Sequence, residues 1–239
     1  MKIPHRVIAV TAILVMASPA AFAQGTSAPA PAARSVPTAD ARGAAEKVIR
    51  SLRNDTALRA YQWTETMVVI VNGKEKTTVV NACSYNQEGK LARTPVNAQA
   101  SEHMNKGIPG TAAEIGSYTR GAVALMREYV RPNPDKLEAC LAAGRVSASE
   151  EPGQRVQLTF KNYSKPGDDL VVIMSPASGH VLSLAGSSYM TNQADRAEIH
   201  TEMAELPDGT VYPAQVKFDT PTRQMGVTVR NSDYRKKSG

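Results

Sequence analysis

His200 and Glu202 stand two residues apart in a stretch that reads as a strand, so their imidazole and carboxylate share one face. Such a pair can hold a metal ion or pass a proton. An exposed polar strand face accounts for it more simply, and that is the preferred reading. His103 beside Glu102 lies near Gly107, Pro109 and Gly110 and reads as a solvated loop. Ser187 and Ser188 have no base beside them in sequence, and no Ser-x-x-Lys, HExxH, GxSxG, P-loop or GxGxxG pattern occurs anywhere. No enzyme activity, metal site or cofactor is therefore expected. The remaining chemistry is apolar. Met67, Met126, Met174, Met190, Met203 and Met225 suit either an adaptable apolar surface or ordinary core filling.

The segments that would position these residues start with an export signal. Lys2, His5 and Arg6 precede an apolar run from Val7 to Met16, and small residues lead to Ala21-Phe22-Ala23-Gln24. A basic region, an apolar core and an A-x-A site over residues 1–23 make a secretory signal peptide. The run is shorter than the roughly 20 residues a spanning helix needs. No cysteine lies near the cleavage site, so the expectation is a soluble periplasmic protein without a lipid anchor. Of the formal net charge of +6, Lys2 and Arg6 contribute two. The rest is mildly basic, and nucleic acid is not an expected partner. Residues 24–39, rich in Ala, Pro, Ser and Gly, read as a disordered leader, and residues 40–235 as one domain. In an oxidising compartment the two cysteines, Cys83 and Cys140, invite a disulfide; two separately buried thiols are the alternative.

Asp40 can cap a helix carrying Ala44, Val48, Ile49 and Leu52 on one face. Tyr61, Trp63, Met67, Val69 and Val71 alternate with Gln62, Thr64 and Thr66, and Asn72-Gly73 turns that strand into a return from Thr77 to Tyr85. Glu88-Gly89 leads to a strand from Leu91 to Val96. Asn97 to Thr111 reads as a long loop, and Ala112 to Val130 as a helix. Asn133 caps, and Pro134 opens, a shorter helix with Leu137, Cys140 and Leu141 on its apolar face. About six strands follow. Val156, Leu158 and Phe160 alternate in the first, and Leu170–Met174, His180–Tyr189 and Arg196–Glu205 come next. Thr210, Tyr212, Ala214, Val216 and Phe218 form another, placed at an edge or bulge by Pro213. Thr222 to Asp233 closes the chain. A turn every eight to twelve residues or so points to an antiparallel meander.

The predicted class is α+β: a strongly curved antiparallel sheet, an unclosed half-barrel, covered by the N-terminal helix and a central helical hairpin. Leu206-Pro207-Asp208-Gly209-Thr210-Val211-Tyr212-Pro213-Ala214-Gln215-Val216 resembles a late hairpin of the periplasmic lipoprotein-carrier superfamily, the LolA/LolB-like fold. Thr228-Val229-Arg230-Asn231-Ser232-Asp233-Tyr234-Arg235 resembles its final strand, and Asp169 to Gly179 one of its strand-and-turn units. The chain departs from the carrier in its low aromatic content of 5%. The resemblance implies a soluble monomeric binder or carrier of apolar ligands, with a lipid or lipoprotein acyl chain as partner. A regulatory module of the same fold, docking an envelope protein without lipid, is the alternative. The residues expected to line the hollow are Trp63, Met67, Val69, Leu158, Phe160, Tyr212, Val216 and Phe218 from the sheet, with Ile115, Leu125 and Met126 from the helix above it.

Overall fold

Asn72 and Gly73 both adopt positive φ, 52° and 70°, the backbone that a tight two-residue hairpin turn requires. They return β1 (Tyr61–Val71) into β2 (Lys74–Tyr85), so the second strand starts earlier than the expected Thr77. The computed structural model describes residues 38–54, 56–96 and 112–237. The expected signal peptide, the leader through residue 37 and the loop from Asn97 to Thr111 lie outside them.

A turn at Glu88-Gly89 leads from β2 to β3 (Leu91–Pro95). The helix α1 (Thr38–Asn54) starts inside the expected leader, and Asp40 sits in its first turn instead of capping it. An acid there still favours the helix, because it faces the positive end of the backbone dipole. Ala41, Ala45, Val48 and Ile49 recur at helical spacing and are buried, with Ala44 and Leu52 packed beside them. The helix α2 (Ala112–Val130) has the expected bounds, and α3 (Pro134–Ala142) starts at the expected proline. The Asn133 side chain accepts from the Asp135 amide at 2.8 Å, which caps α3.

Seven further strands follow: β4 (Val146–Glu151), β5 (Arg155–Lys161), β6 (Asp169–Met174), β7 (Val181–Tyr189), β8 (Arg196–Glu205), β9 (Val211–Thr220) and β10 (Met225–Lys236). The sequence reading passes over β4, whose Val-Ser-Ala-Ser-Glu-Glu carries too few apolar residues to show a period; its pairing with β5 makes it a strand.

Among the described residues ten strands form one antiparallel sheet, in the order β3-β2-β1-β10-β9-β8-β7-β6-β5-β4. The meander from β4 to β10 returns to β1, so the N-terminal hairpin extends the sheet beyond its last strand. The sheet does not close, and the fold is the expected α+β half-barrel type. Its two edges are blunted: β3 ends in Pro95, and β4 carries Ser149, Glu150 and Glu151. Prolines and charges at edges discourage pairing with another chain. The helices divide the sheet between them. α1 packs on α3, β4 and β5, whereas α2 lies across β7, β8 and β9.

The expected Cys83–Cys140 bridge is not formed. Both are buried free thiols, and they belong to different apolar clusters. Cys83 packs with Leu58, Trp63 and Tyr85, and Cys140 belongs to the main core with Leu137. Burial pushes the Cys83 thiol up to about 11, the nearby Glu65 carboxylate adding to it, and raises Cys140 as well. Thiolate is the reactive form. At pH 8 the native protein should therefore resist iodoacetamide, and in denaturant without reductant it should gain two labels by intact mass. A denatured protein that takes none would restore the bridge.

Candidate functional site

The alternation of β1 sends Trp63, Glu65, Met67 and Val69 to the inner face of the sheet. Glu65 is the anomaly in that apolar row. It is only 8% exposed, and an unpaired carboxylate so placed is costly. Three strands supply its setting. Asn81 on β2 and Asn231 on β10 stand opposite it, and Arg93 on β3 pairs with Cys83 one step along. The Arg93 guanidinium donates to both Glu65 oxygens, at 2.8 and 3.1 Å, and the Asn81 amide donates at 3.2 Å. A two-pronged pair of this kind is among the stronger charge-assisted contacts. It makes a carboxylate tolerable in an otherwise apolar floor.

Aromatic rings form one end. Trp63 stacks on Tyr234 with centroids 5.5 Å apart and meets Tyr85 at the same separation. The Trp63 indole donates to the Asn231 side chain at 3.1 Å, and the Asn231 amide donates to the Pro213 carbonyl at 2.7 Å. Pro213 lies where the β8–β9 register shifts, between Glu202 and Met203. The expected irregularity at this proline is thus a bulge, which Asn231 ties to β10.

Between this floor and one face of α2 lies a cavity of about 410 Å³. Val123, Met126, Arg127 and Val130 line it from the helix at its three- and four-residue spacing, and Met67, Val216 and Val229 line it from the sheet. Ligand pockets run from roughly 300 to 1,000 Å³ and are mostly apolar with a few placed polar groups, which describes this one. A second hollow of about 180 Å³ adjoins it and shares Leu58, Val130, Arg131 and Pro213. Its other walls include Val181, Leu184, Met203 and Val211. A groove of about 480 Å³ between α1 and α3 has charged walls, including Arg42, Glu46, Arg53 and Glu138, and these four residues are held in ion pairs.

Of the residues expected to line a hollow, Trp63, Met67, Met126 and Val216 meet at the cavity beneath α2. Val69, Leu125, Leu158, Phe160 and Phe218 are instead buried in the main core. Tyr212 packs against Tyr234 with centroids 4.3 Å apart and does not line the cavity. The bulge breaks the alternation of β9, so Pro213 faces the cavity where Tyr212 was expected. The side chain of Ile115 lies outside the described positions. Sequence reasoning missed Glu65, Asn81, Arg93, Arg127 and Arg131. The signal for Glu65 was present: it occupies an inward position by the same period-two count that placed Trp63 and Met67.

Several solved structures resemble the chain, among them the following three. One is a DUF1329 family protein from Desulfovibrio piger, 12% identical, with a TM-score of 0.45 over 83% of this chain and 94% of that one. The second is a LolA superfamily protein from Nitrosomonas europaea, 8% identical, with a TM-score of 0.39 over 83% and 94% of the two chains. The third is an outer membrane lipoprotein-sorting protein domain from Vibrio parahaemolyticus, 10% identical, with a TM-score of 0.42 over 84% and 94%. No protein-family profile and no curated protein matches the chain.

The residues first considered for catalysis lie elsewhere. His200 Nε2 is 3.9 Å from Glu202 Oε1, and both side chains are about half exposed. Ser187 accepts from Arg196 at 3.2 Å and donates to Glu198 at 3.1 Å. Of the six methionines singled out above, Met174 and Met225 fill the core, Met67, Met190 and Met203 pack partly buried against it, and Met126 is core and cavity wall at once.

Proposed function

We propose that the chain is a soluble exported binding protein or carrier of the cell envelope, which takes a lipid or the acyl chain of a lipoprotein into the cavity between α2 and the sheet. The observation that supports this most is the cavity itself: about 410 Å³, walled by Met67, Met126, Val130, Val216 and Val229. Each aliphatic CH₂ buried there gains about 0.8 kcal/mol. Methionine walls adapt to chains of different shape, because the thioether has several soft torsions. Among the described residues no helix is long and apolar enough to cross a membrane.

The test is native mass spectrometry of protein recovered from periplasm, with Gln24 as its N-terminus, followed by uptake of a fluorescent fatty acid. A bound lipid mass or saturable uptake is expected. Val123 faces the cavity and is half-buried, so Val123→Trp fills the space while sparing the core. Excluding two methylenes from the cavity costs about 1.6 kcal/mol, or about fifteenfold in affinity. Fifteenfold weaker uptake with unchanged thermal stability supports the reading. A protein that carries no lipid and takes up no fatty acid rejects it, and stable capture of an envelope protein would then favour a docking role.

A further inference from the structure

The charge around the cavity is one-sided. Its walls hold one carboxylate, Glu65, against three guanidiniums, Arg93, Arg127 and Arg131. Glu65 is wholly engaged by Arg93 through both oxygens. That leaves Arg127, in the last turn of α2, and Arg131, one turn further on and just past the end of the helix. Among the described residues neither has a carboxylate within ion-pair distance, although Arg53, Arg93, Lys136 and Lys161 all do. The end of a helix welcomes positive charge, which explains cations on this turn. It does not explain their place on the apolar cavity wall. Arg131 is fixed further: its guanidinium lies over the Tyr85 ring, 5.0 Å from the centroid. It also borders both hollows.

We propose that the site takes a single-chain amphiphile with an anionic head, a carboxylate or phosphate held by Arg127 and Arg131, and an aliphatic tail laid along Met67, Met126, Val216 and Val229. This deepens the function proposed above and rests on it. An arginine fork matches the oxygens of either head group, and ammonium or hydroxyl heads offer it no such pairing. The exposed guanidiniums let the head stay near solvent while the tail is buried, the usual arrangement for an amphiphile at a cavity mouth. Arg131 at the junction of the two hollows leaves both open to the tail.

The probes are four dodecyl compounds of equal tail length: dodecanoate, dodecyl phosphate, dodecanol and dodecyltrimethylammonium, titrated calorimetrically at low salt against the full mature protein. Both anions are expected to bind at least about tenfold more tightly than the alcohol, and the cation more weakly than the alcohol. Tighter binding than dodecanol by only one of the two anions also supports the proposal and assigns the head group. In the double variant Arg127→Gln with Arg131→Gln, the ratio of anion to dodecanol affinity should fall to about one; all four compounds are titrated against the same variant, so a damaged cavity, which weakens them alike, is told apart from loss of the head-group contact. Equal affinity for anion and alcohol in the parent protein overturns the proposal and leaves the apolar cavity standing. Failure of all four to bind overturns the proposed function as well.

Discussion

Replacing Asp168 by Ala is expected to lower the unfolding free energy by about 3–5 kcal/mol. Asp168 ends the turn between β5 and β6, and its side chain is wholly buried. The carboxylate accepts from the Tyr129 hydroxyl at 2.5 Å, from the Lys165 amide at 3.0 Å and from the Ser164 amide at 3.2 Å. Burial, and then the Asp168 carboxylate itself, hold the Tyr129 hydroxyl protonated far above its ordinary range. Alanine takes away the acceptor and leaves a closed-in hydroxyl and two turn amides without a partner. Each hydrogen bond to a charged group contributes about 1.5–3 kcal/mol, and local relaxation recovers part of the sum. Asp168→Asn keeps one carbonyl oxygen and should lose about half as much, while Tyr129→Phe removes one donor alone and should cost about 1–2 kcal/mol. Chemical denaturation of the three variants should give that order. A loss under about 1 kcal/mol for Asp168→Ala would show that the buried carboxylate is not the anchor of this turn.

These effects were partly legible beforehand. Local chemistry was readable: Asn72-Gly73 demands positive φ wherever it occurs, and Asn133-Pro134 opens a helix for reasons contained in those two residues. The alternation of β1 and β5 also placed their inner faces correctly. What escaped depends on partners remote in sequence. Asp168 reads as a turn residue until Tyr129, 39 positions away, is brought onto it. Glu65 reads as one more polar strand residue until Arg93 arrives from β3, 28 positions away. β4 is a strand because β5 pairs with it, not because its residues favour one. The two cysteines show the same limit, since an even count says nothing about which core each thiol enters. The cavity was legible as an apolar face but not in its extent. Leu158, Phe160 and Phe218 proved to be wholly packed, and the open volume shifted toward the N-terminal hairpin, where Arg127 and Arg131 bound it.

Gly186→Ala is expected to cost about 2–4 kcal/mol, and to do so only while Tyr129 is present. Gly186 lies in the interior of β7, opposite Leu170 on β6 and Ile199 on β8. The Tyr129 ring rests directly on it. A Cβ added there would stand 2.4 Å from ring atom Cδ1 and 2.8 Å from Cγ, closer than real contacts allow, and a tight 3.0 Å from Cε1. Two contacts resist its retreat. Its hydroxyl is bound to Asp168, and Tyr163 packs edge-on against it with centroids 5.4 Å apart. Moving aside therefore gives up the buried hydrogen bond as well as packing, which is why the expected cost exceeds that of simple overpacking, about 1–3 kcal/mol. In a Tyr129→Ala background the space is vacant. There the same glycine substitution should stabilise slightly, by about 0.5–1 kcal/mol, because alanine loses less conformational freedom in a strand than glycine does. A double-mutant cycle by denaturant unfolding measures this change of sign. Equal costs for Gly186→Ala in both backgrounds would mean that the ring yields freely. Tyr129 would then not be the part that locks α2 to β7 and fixes the roof of the cavity above the sheet.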